Sequence, residues 1–284
     1  SESLGGIVKK YILSLLALSV LCLGTIANAK SIRIGTEGAY PPWNNLNSAG
    51  ELEGAEIDFG NEACKRMGVD CEWVTQDWDG IIPALLNGKY DIIIAGMSIT
   101  EERKEKVNFT NGYMTDGARF AVLKGNGLDN LSVAGMDKVN LNDAGGKEQA
   151  AIGQLIAAMN GKTVCVQSAT IHQNFLEKHM AGAVKVKLYQ SVDDTNLDLI
   201  AGRCDAILAD VGSTMDYMET DVGANVAFTG PTFSGGVFGD GVGGAVRKED
   251  TDILEMWNKV IAEMGADGTA AEITKKWFGR DISM

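Results

Sequence analysis

Histidine is almost missing from this chain: its 284 residues include two, His172 and His179, together with five cysteines. Neither histidine stands with a convergent cysteine pair, so a zinc site is not expected, and no motif calls for a cofactor. Basic residues are also scarce, 25 Lys and Arg against 38 Asp and Glu, a formal charge of −13. That balance argues against nucleic acid or an anionic membrane as partner and is compatible with a small cationic ligand. Beyond residue 29 no run is long and apolar enough to cross a bilayer.

The N-terminus is a separate matter. Lys9 and Lys10 precede the apolar run YILSLLALSVLCLGTIA, which ends at Ala27-Asn28-Ala29. A basic start, a short apolar stretch and an A-x-A site predict a secretory signal peptide over 1–29. A membrane anchor is the competing reading, and Val20-Leu21 ahead of Cys22 does not fit a lipoprotein signal. Export would put the remaining cysteines in an oxidising compartment. Cys64 and Cys71, in EACKRMGVDCEW, are spaced to join a helix end to the start of a strand, and a disulfide is predicted there. Cys165 and Cys204 lie in apolar, strand-like runs where buried thiols and a bridge both fit.

In chain order, SIRIGT alternates like a strand and runs into the loop EGAYPPWNNLNSAGELEG, where Tyr40 and Trp43 either cover a hydrophobic edge or stack on a ligand. AEIDFGNEACKRM has helical spacing with Ile57, Ala63, Cys64 and Met67 inward. CEWVTQ is a second strand, Trp78-Asp79-Gly80 opens a helix, and Asp91–Ala95 is a third strand. Such alternation predicts an α/β unit with a largely parallel sheet, whose ligands bind at the carboxyl ends of strands. At one such end lies DIIIAGMSITEER, in which an apolar strand gives way to Ser98, Thr100 and, in a nascent helix, Arg103. Exposed N–H groups, hydroxyls and a guanidinium so close together suit a carboxylate.

RFAVLK is the next strand, and 125–162 reads as an inserted segment with a helix at GKEQAAIGQLIAAMNG. A second α/β unit follows, with a small, polar turn at Ser168-Ala169-Thr170, a helix carrying His172 in a structural role, and a strand CDAILAD ending in Asp210. Near the C-terminus ILEMWNKVIAEM is amphipathic, and Trp277 and Phe278 serve core or interlobe packing. Two units that face each other suggest a ligand in the cleft between them. Arg103, Ser98 and Thr170 suit its carboxylate, Asp210 an ammonium, and Glu37 a distal cation. Tyr40 and Trp78 could sandwich the stem between rings.

The motifs IRIGTEGAYPPWN, EIDFGNEACKRMG, WDGIIPALLNGKYD, AGMSITEERKEKVNFT, AGRCDAILAD, FSGG and DGT…KKWF together resemble the polar amino-acid-binding proteins of bacterial ABC importers. Within these the chain resembles the lysine/arginine/ornithine- and histidine-binding group and, most of all, the opine-binding branch. The resemblance implies a two-lobe periplasmic binding protein fold of type II, with crossovers near Met114–Arg119 and Phe228–Phe233 acting as a hinge. Lobe 1 would comprise 30–115 and 231–284, and lobe 2 would comprise 116–230. It also implies a monomer that carries a cationic amino acid, arginine before lysine, ornithine or histidine, to an inner-membrane ABC permease, with no catalysis. Arg103 would fork the α-carboxylate with help from Ser98 and Thr170, Asp210 would hold the α-ammonium, and Cys64–Cys71 matches the family disulfide in position.

The chain departs from the group's pattern at Ala95, Gly96 and Ala169, where hydroxyl residues are expected, and in placing Trp78 where Phe is common. An octopine- or nopaline-type conjugate is therefore the alternative ligand, with Arg119 available to offset its extra carboxylate beside Asp210. An enzyme on the same fold, of the periplasmic dehydratase kind, is a further alternative. Its acid–base candidates, Glu37 and Asp210, are already accounted for by cation binding.

Overall fold

The computed structural model describes residues 30–284, so the signal-peptide assignment lies outside the described residues. Strand β1 (Ser31–Thr36) is followed by three short strands, β2 (Ala39–Tyr40), β3 (Asn44–Leu46) and β4 (Leu52–Glu53), which pair into a small sheet of their own. Helix α1 (Ala55–Met67) has Glu56 and Asp58 in its first turn, and Lys65 and Arg66 in its last. That distribution complements the helix dipole. Gly68, at a left-handed φ of 66°, ends it by donating its N–H back to the last turn. Cys64 and Cys71 are bonded across this end, with Cα atoms 6.1 Å apart.

Strand β5 (Asp70–Thr75) lies parallel to β1 along its full length, from Ser31 beside Asp70 to Thr36 beside Thr75. After a turn of 3-10 helix at Trp78–Gly80 come α2 (Ile81–Leu86), the short strand β6 (Ile92–Ile93), α3 (Glu101–Lys104) and β7 (Asn108–Phe109). The chain then enters a second sheet. This contains β8 (Ala118–Leu123), β9 (Lys138–Asn140), α4 (Gly146–Met159), β10 (Thr163–Gln167), α5 (Ile171–His179), β11 (Lys185–Tyr189), α6 (Val192–Ile200), β12 (Ala206–Asp210), α7 (Val211–Met218) and β13 (Val226–Ser234). It returns to the first sheet as β14 (Ala245–Val246) and closes with α8 (Thr251–Ala266) and α9 (Thr269–Phe278).

Strand orders are β5-β1-β6-β14-β7 and β11-β10-β12-β8-β13-β9. Two mixed sheets flanked by helices fit the two-lobe, type II arrangement expected from the sequence. Two segments join the sheets, residues 110–117 and 235–244. They touch through an isolated bridge between Met114 and Val242, and Val242 also bridges Ser98 of the first sheet's turn. The second joining segment is later than expected. Phe228–Phe233 lies inside β13, paired with β8 across an irregularity between Thr229 and Phe233, and Phe238 still packs in the second sheet's core.

Period-two alternation gives each sheet two apolar faces. Ile32, Ile34, Phe59 and Trp257 fill one face of the first sheet, and Leu85, Tyr90 and Ile93 the other. In the second, Phe120, Val166 and Phe175 oppose Ala121, Cys165 and Ile207. Cys165 is bonded to Cys204, which settles the alternatives left open for these two residues in favour of a bridge. Phe278 packs edge-on against Trp43 at 5.0 Å and also against Gly212 of α7, serving core and interlobe contact at once.

Candidate functional site

The carboxyl ends of β1, β6, β10 and β12 deliver their following residues to one cavity between the sheets. From the first sheet come Glu37, Tyr40, Trp43, Trp78, Ala95, Gly96, Ser98 and Arg103. The second contributes Asp116, Gly117, Ala118, Gln167, Thr170, Ile171, His172 and Asp210, with Phe238 and Val242 from the returning segment.

Arg103 owes its place to a short cap. Thr100 Oγ1 accepts the Arg103 N–H at 3.3 Å and starts α3, so the side chain projects back along the Ser98 turn. One guanidinium nitrogen donates to the Ser98 carbonyl at 2.9 Å, another reaches the Ala169 carbonyl at 3.4 Å, and the group lies 5.4 Å from the Trp78 ring centre. Burial lowers its pKa to about 10, which leaves it charged at neutral pH. Among the described residues it makes no ion pair, an arrangement suited to an anionic ligand.

The opposite charge gathers around Asp210 and Glu37, both buried. Asp210 caps α7, accepting Ser213 N–H at 3.2 Å; it also accepts the Tyr40 hydroxyl and, at 3.0 Å, the Trp43 indole N–H. Burial, and secondarily Asp116 beside it, push its carboxyl up to about 8. Glu37 accepts Gln167 Nε2 at 2.8 Å. Burial raises it to about 8 despite that bond, with Asp193, Asp77 and Asp79 adding in the same direction. Asp116 is paired with Arg280, which donates to it at 2.8 Å.

These bonds also stitch the two sheets together. Tyr40 and Trp43 reach Asp210, and Gln167 reaches Glu37. Trp78 Nε1 donates to the Ala169 carbonyl at 3.0 Å, and Ser168 Oγ to Asp79 at 2.8 Å. The cleft is therefore closed.

Nine of the eleven candidates read from sequence line the cavity: Glu37, Tyr40, Trp78, Ala95, Gly96, Ser98, Arg103, Thr170 and Asp210. Ala169 sits on the closing seam, at a left-handed φ of 59°, and offers its carbonyl to both Trp78 and Arg103. Arg119 is elsewhere. Alternation along β8 turns Ala118 and Phe120 to one face and Arg119 to the other, where it lies over Phe228 and donates to the Gly230 carbonyl at 2.8 Å. It cannot offset a charge beside Asp210.

Sequence reading passed over Gln167, Asp116 and Phe238. It also kept His172 as a helix residue, although its imidazole lines the cavity. Burial first, then Arg103, lower its pKa to about 3, so the ring is neutral, and its Nε2 is buried without a hydrogen-bond partner among the described residues. The one available signal was its place two residues after the Thr170 turn. Among the described residues no cluster of three or more His, Cys, Asp or Glu side chains could hold a metal ion, and no helix is long and apolar enough to cross a membrane.

Residues 32–280 match the family model for bacterial extracellular solute-binding proteins, family 3. The chain is 38% identical over 277 residues to the L-arginine-binding protein of Pseudomonas aeruginosa, covering 96% of this chain and 98% of that one. It is 36% identical over 285 residues to the octopine-binding periplasmic protein of Rhizobium meliloti, covering 94% and 96%. Among solved structures, an ancestral arginine-binding protein bound to arginine superposes with a TM-score of 0.74 at 35% identity, covering 89% of this chain and all of the other.

Proposed function

The chain belongs to the bacterial extracellular solute-binding proteins of family 3, and we propose that it captures a cationic L-amino acid, arginine first and then lysine, ornithine or histidine. The ligand is carried in the periplasm by the exported monomer to an inner-membrane ABC permease and released unchanged. The observation that carries this reading is one closed cavity that presents groups for both ends of such a ligand. Its lining combines Arg103, which makes no ion pair among the described residues, with the buried carboxyl groups of Glu37 and Asp210 and the rings of Tyr40, Trp43 and Trp78.

Arg103 forks the α-carboxylate, with Ser98 and the N-terminus of α5 at Thr170 assisting. Asp210 takes the α-ammonium and Glu37 the distal cation, which replaces the proton each holds when the cleft is empty. Tyr40, Trp43 and Trp78 flank the aliphatic stem. The two halves of 30–284 act as lobes, the half built on the second sheet, β8 to β13, closing on the remainder. Because the ligand touches both, its binding energy favours the closed state. The octopine-binding relative and the unpartnered His172 Nε2 beside Arg103 favour a second reading, a conjugate whose extra carboxylate takes that nitrogen as a donor.

A calorimetric panel of arginine, lysine, ornithine, histidine, glutamine, octopine and nopaline tests both. Arginine is expected to bind most tightly. Octopine in first place selects the second reading, and glutamine equal to arginine refutes the assignment of Glu37.

A further inference from the structure

We propose that Glu56, which lies outside the cavity, is a positioning residue that fixes the first-sheet wall of the site and thereby sets ligand affinity. The effect on affinity rests on the ligand reading above; the geometry does not. Glu56 stands in the first turn of α1 and is wholly buried. One of its oxygens, Oε1, accepts the Gly96 N–H at 2.6 Å and the Tyr113 hydroxyl. The other, Oε2, accepts Asn44 Nδ2 at 2.8 Å. Asn44, also wholly buried, passes the connection on, because its Oδ1 accepts the Gly38 N–H at 2.7 Å.

One carboxylate therefore anchors three segments: the loop bearing Glu37, the turn bearing Gly96, and Tyr113 at the start of the connection to the second sheet. No Lys or Arg forms an ion pair with it among the described residues. A buried carboxylate without a counter-ion is a costly way to fill space, and an apolar side chain would pack there more cheaply. What an apolar residue cannot do is accept from three donors on separate segments. The wall these donors belong to has little slack. A Cβ on Gly96 would lie 3.1 Å from the Tyr40 ring, and one on Gly54, beside the helix start, 2.4 Å from the Trp43 carbonyl. Displacement of either loop moves cavity groups directly.

The donor–acceptor order of the relay makes it testable. In Glu56→Gln, the amide oxygen can still serve Gly96 and Tyr113, which places the new NH2 against Asn44 Nδ2. Asn44 must turn over to accept it, and Gly38 N–H then faces a donor. Asn44→Asp alone sets two carboxylates together. Combined, E56Q/N44D restores every pairing, since the carboxylate now at the second position accepts from both the new amide and Gly38.

The experiment measures amide hydrogen exchange and calorimetric arginine affinity in the wild type, E56Q, N44D and E56Q/N44D. In E56Q the Gly38 amide is expected to exchange faster while Gly96 stays protected, with arginine affinity down about tenfold. In the double variant both return to near wild-type values. Should E56Q not fold, Asn44→Ala cuts the relay while keeping the carboxylate and is expected to show the same pair of changes. Unchanged Gly38 exchange in E56Q overturns the relay. Faster exchange with unchanged affinity overturns the positioning role. A wild type that does not bind arginine refutes the ligand reading alone, and the exchange data still judge the relay.

Discussion

The two walls of the cleft hold their polar groups by different means. On the second-sheet wall the functional residues are helix caps. Thr170 Oγ1 accepts Gln173 N–H at 3.2 Å at the start of α5, and Asp210 does the same for Ser213 at the start of α7. Asp210 is the last residue of β12 and Thr170 stands just past the Ser168-Ala169 turn after β10, so the βα unit itself brings each residue to the cavity. On the first-sheet wall no helix follows β1. The chain instead winds through β2, β3 and β4 before α1, and the groups at Glu37 and Gly96 are held by hydrogen bonds that lead to Glu56, through Asn44 for the first and directly, across 40 residues, for the second. The second wall is built from local order; the first, apart from the capped turn that carries Arg103, from a buried polar network. Substitutions should therefore act locally on the second wall and spread on the first.

The largest contrast expected is in stability. Each sheet's unit carries one disulfide, but Cys64–Cys71 spans 7 residues and Cys165–Cys204 spans 39. If the bridges act by restricting the unfolded chain, removing them costs about 2.5 and about 4 kcal/mol respectively. Denaturant unfolding of C64S/C71S and C165S/C204S measures both. Equal losses would mean that native-state strain or residual structure, not loop length, governs the difference.

Next in size is Arg103→Ala. It leaves a buried carboxylate without its fork, and affinity for arginine is expected to fall by about 3 kcal/mol, roughly a hundredfold. The loss should be far smaller for agmatine, which lacks the carboxylate; an equal loss for both would remove Arg103 from the carboxylate end. Glu37→Gln is milder, because Gln167 can still pair with an amide. Arginine should weaken about tenfold and glutamine hardly at all, since only arginine presents the distal cation. Parallel losses would show that Glu37 positions the wall without reading charge.

How much of this was legible in the sequence follows the same division. The second wall could be read almost outright, because an apolar strand run, a small polar residue and a helical pattern succeed one another at KTVCVQSATIHQNF and CDAILADVGST. That order singles out Thr170 and Asp210. Arg103 was legible for the same reason, through its Thr100 cap. Pairings across the walls were not. Nothing local to Glu37 indicates Gln167, and nothing local to Asp210 indicates Trp43. Arg119 failed on parity, one residue out of phase with the face that reaches the cavity, and the crossover expected near Phe228–Phe233 proved to lie inside β13, across an irregularity between Thr229 and Phe233.

The smallest effect expected, a pH dependence, tests which wall senses the ligand's charge. Glu37 and Asp210 both have carboxyls raised to about 8 by burial, from ordinary values of 4.5 and 3.8. Between those limits the folded, empty protein holds more protons than the unfolded chain. The contribution of these groups to stability is therefore present at low pH and is lost as pH rises through about 8. A cation placed beside them reverses the preference, so capture of arginine expels protons below pH 8 and affinity rises with pH toward that value. Arg103, at about 10, and His172, at about 3, do not change charge within this window. Calorimetry in buffers of differing ionisation enthalpy counts the protons released. Glu37→Gln should remove the first wall's share and Asp210→Asn the second's. Affinity and proton count that stay flat from about pH 5.5 to 8 would mean that both carboxyls are already ionised before the ligand arrives.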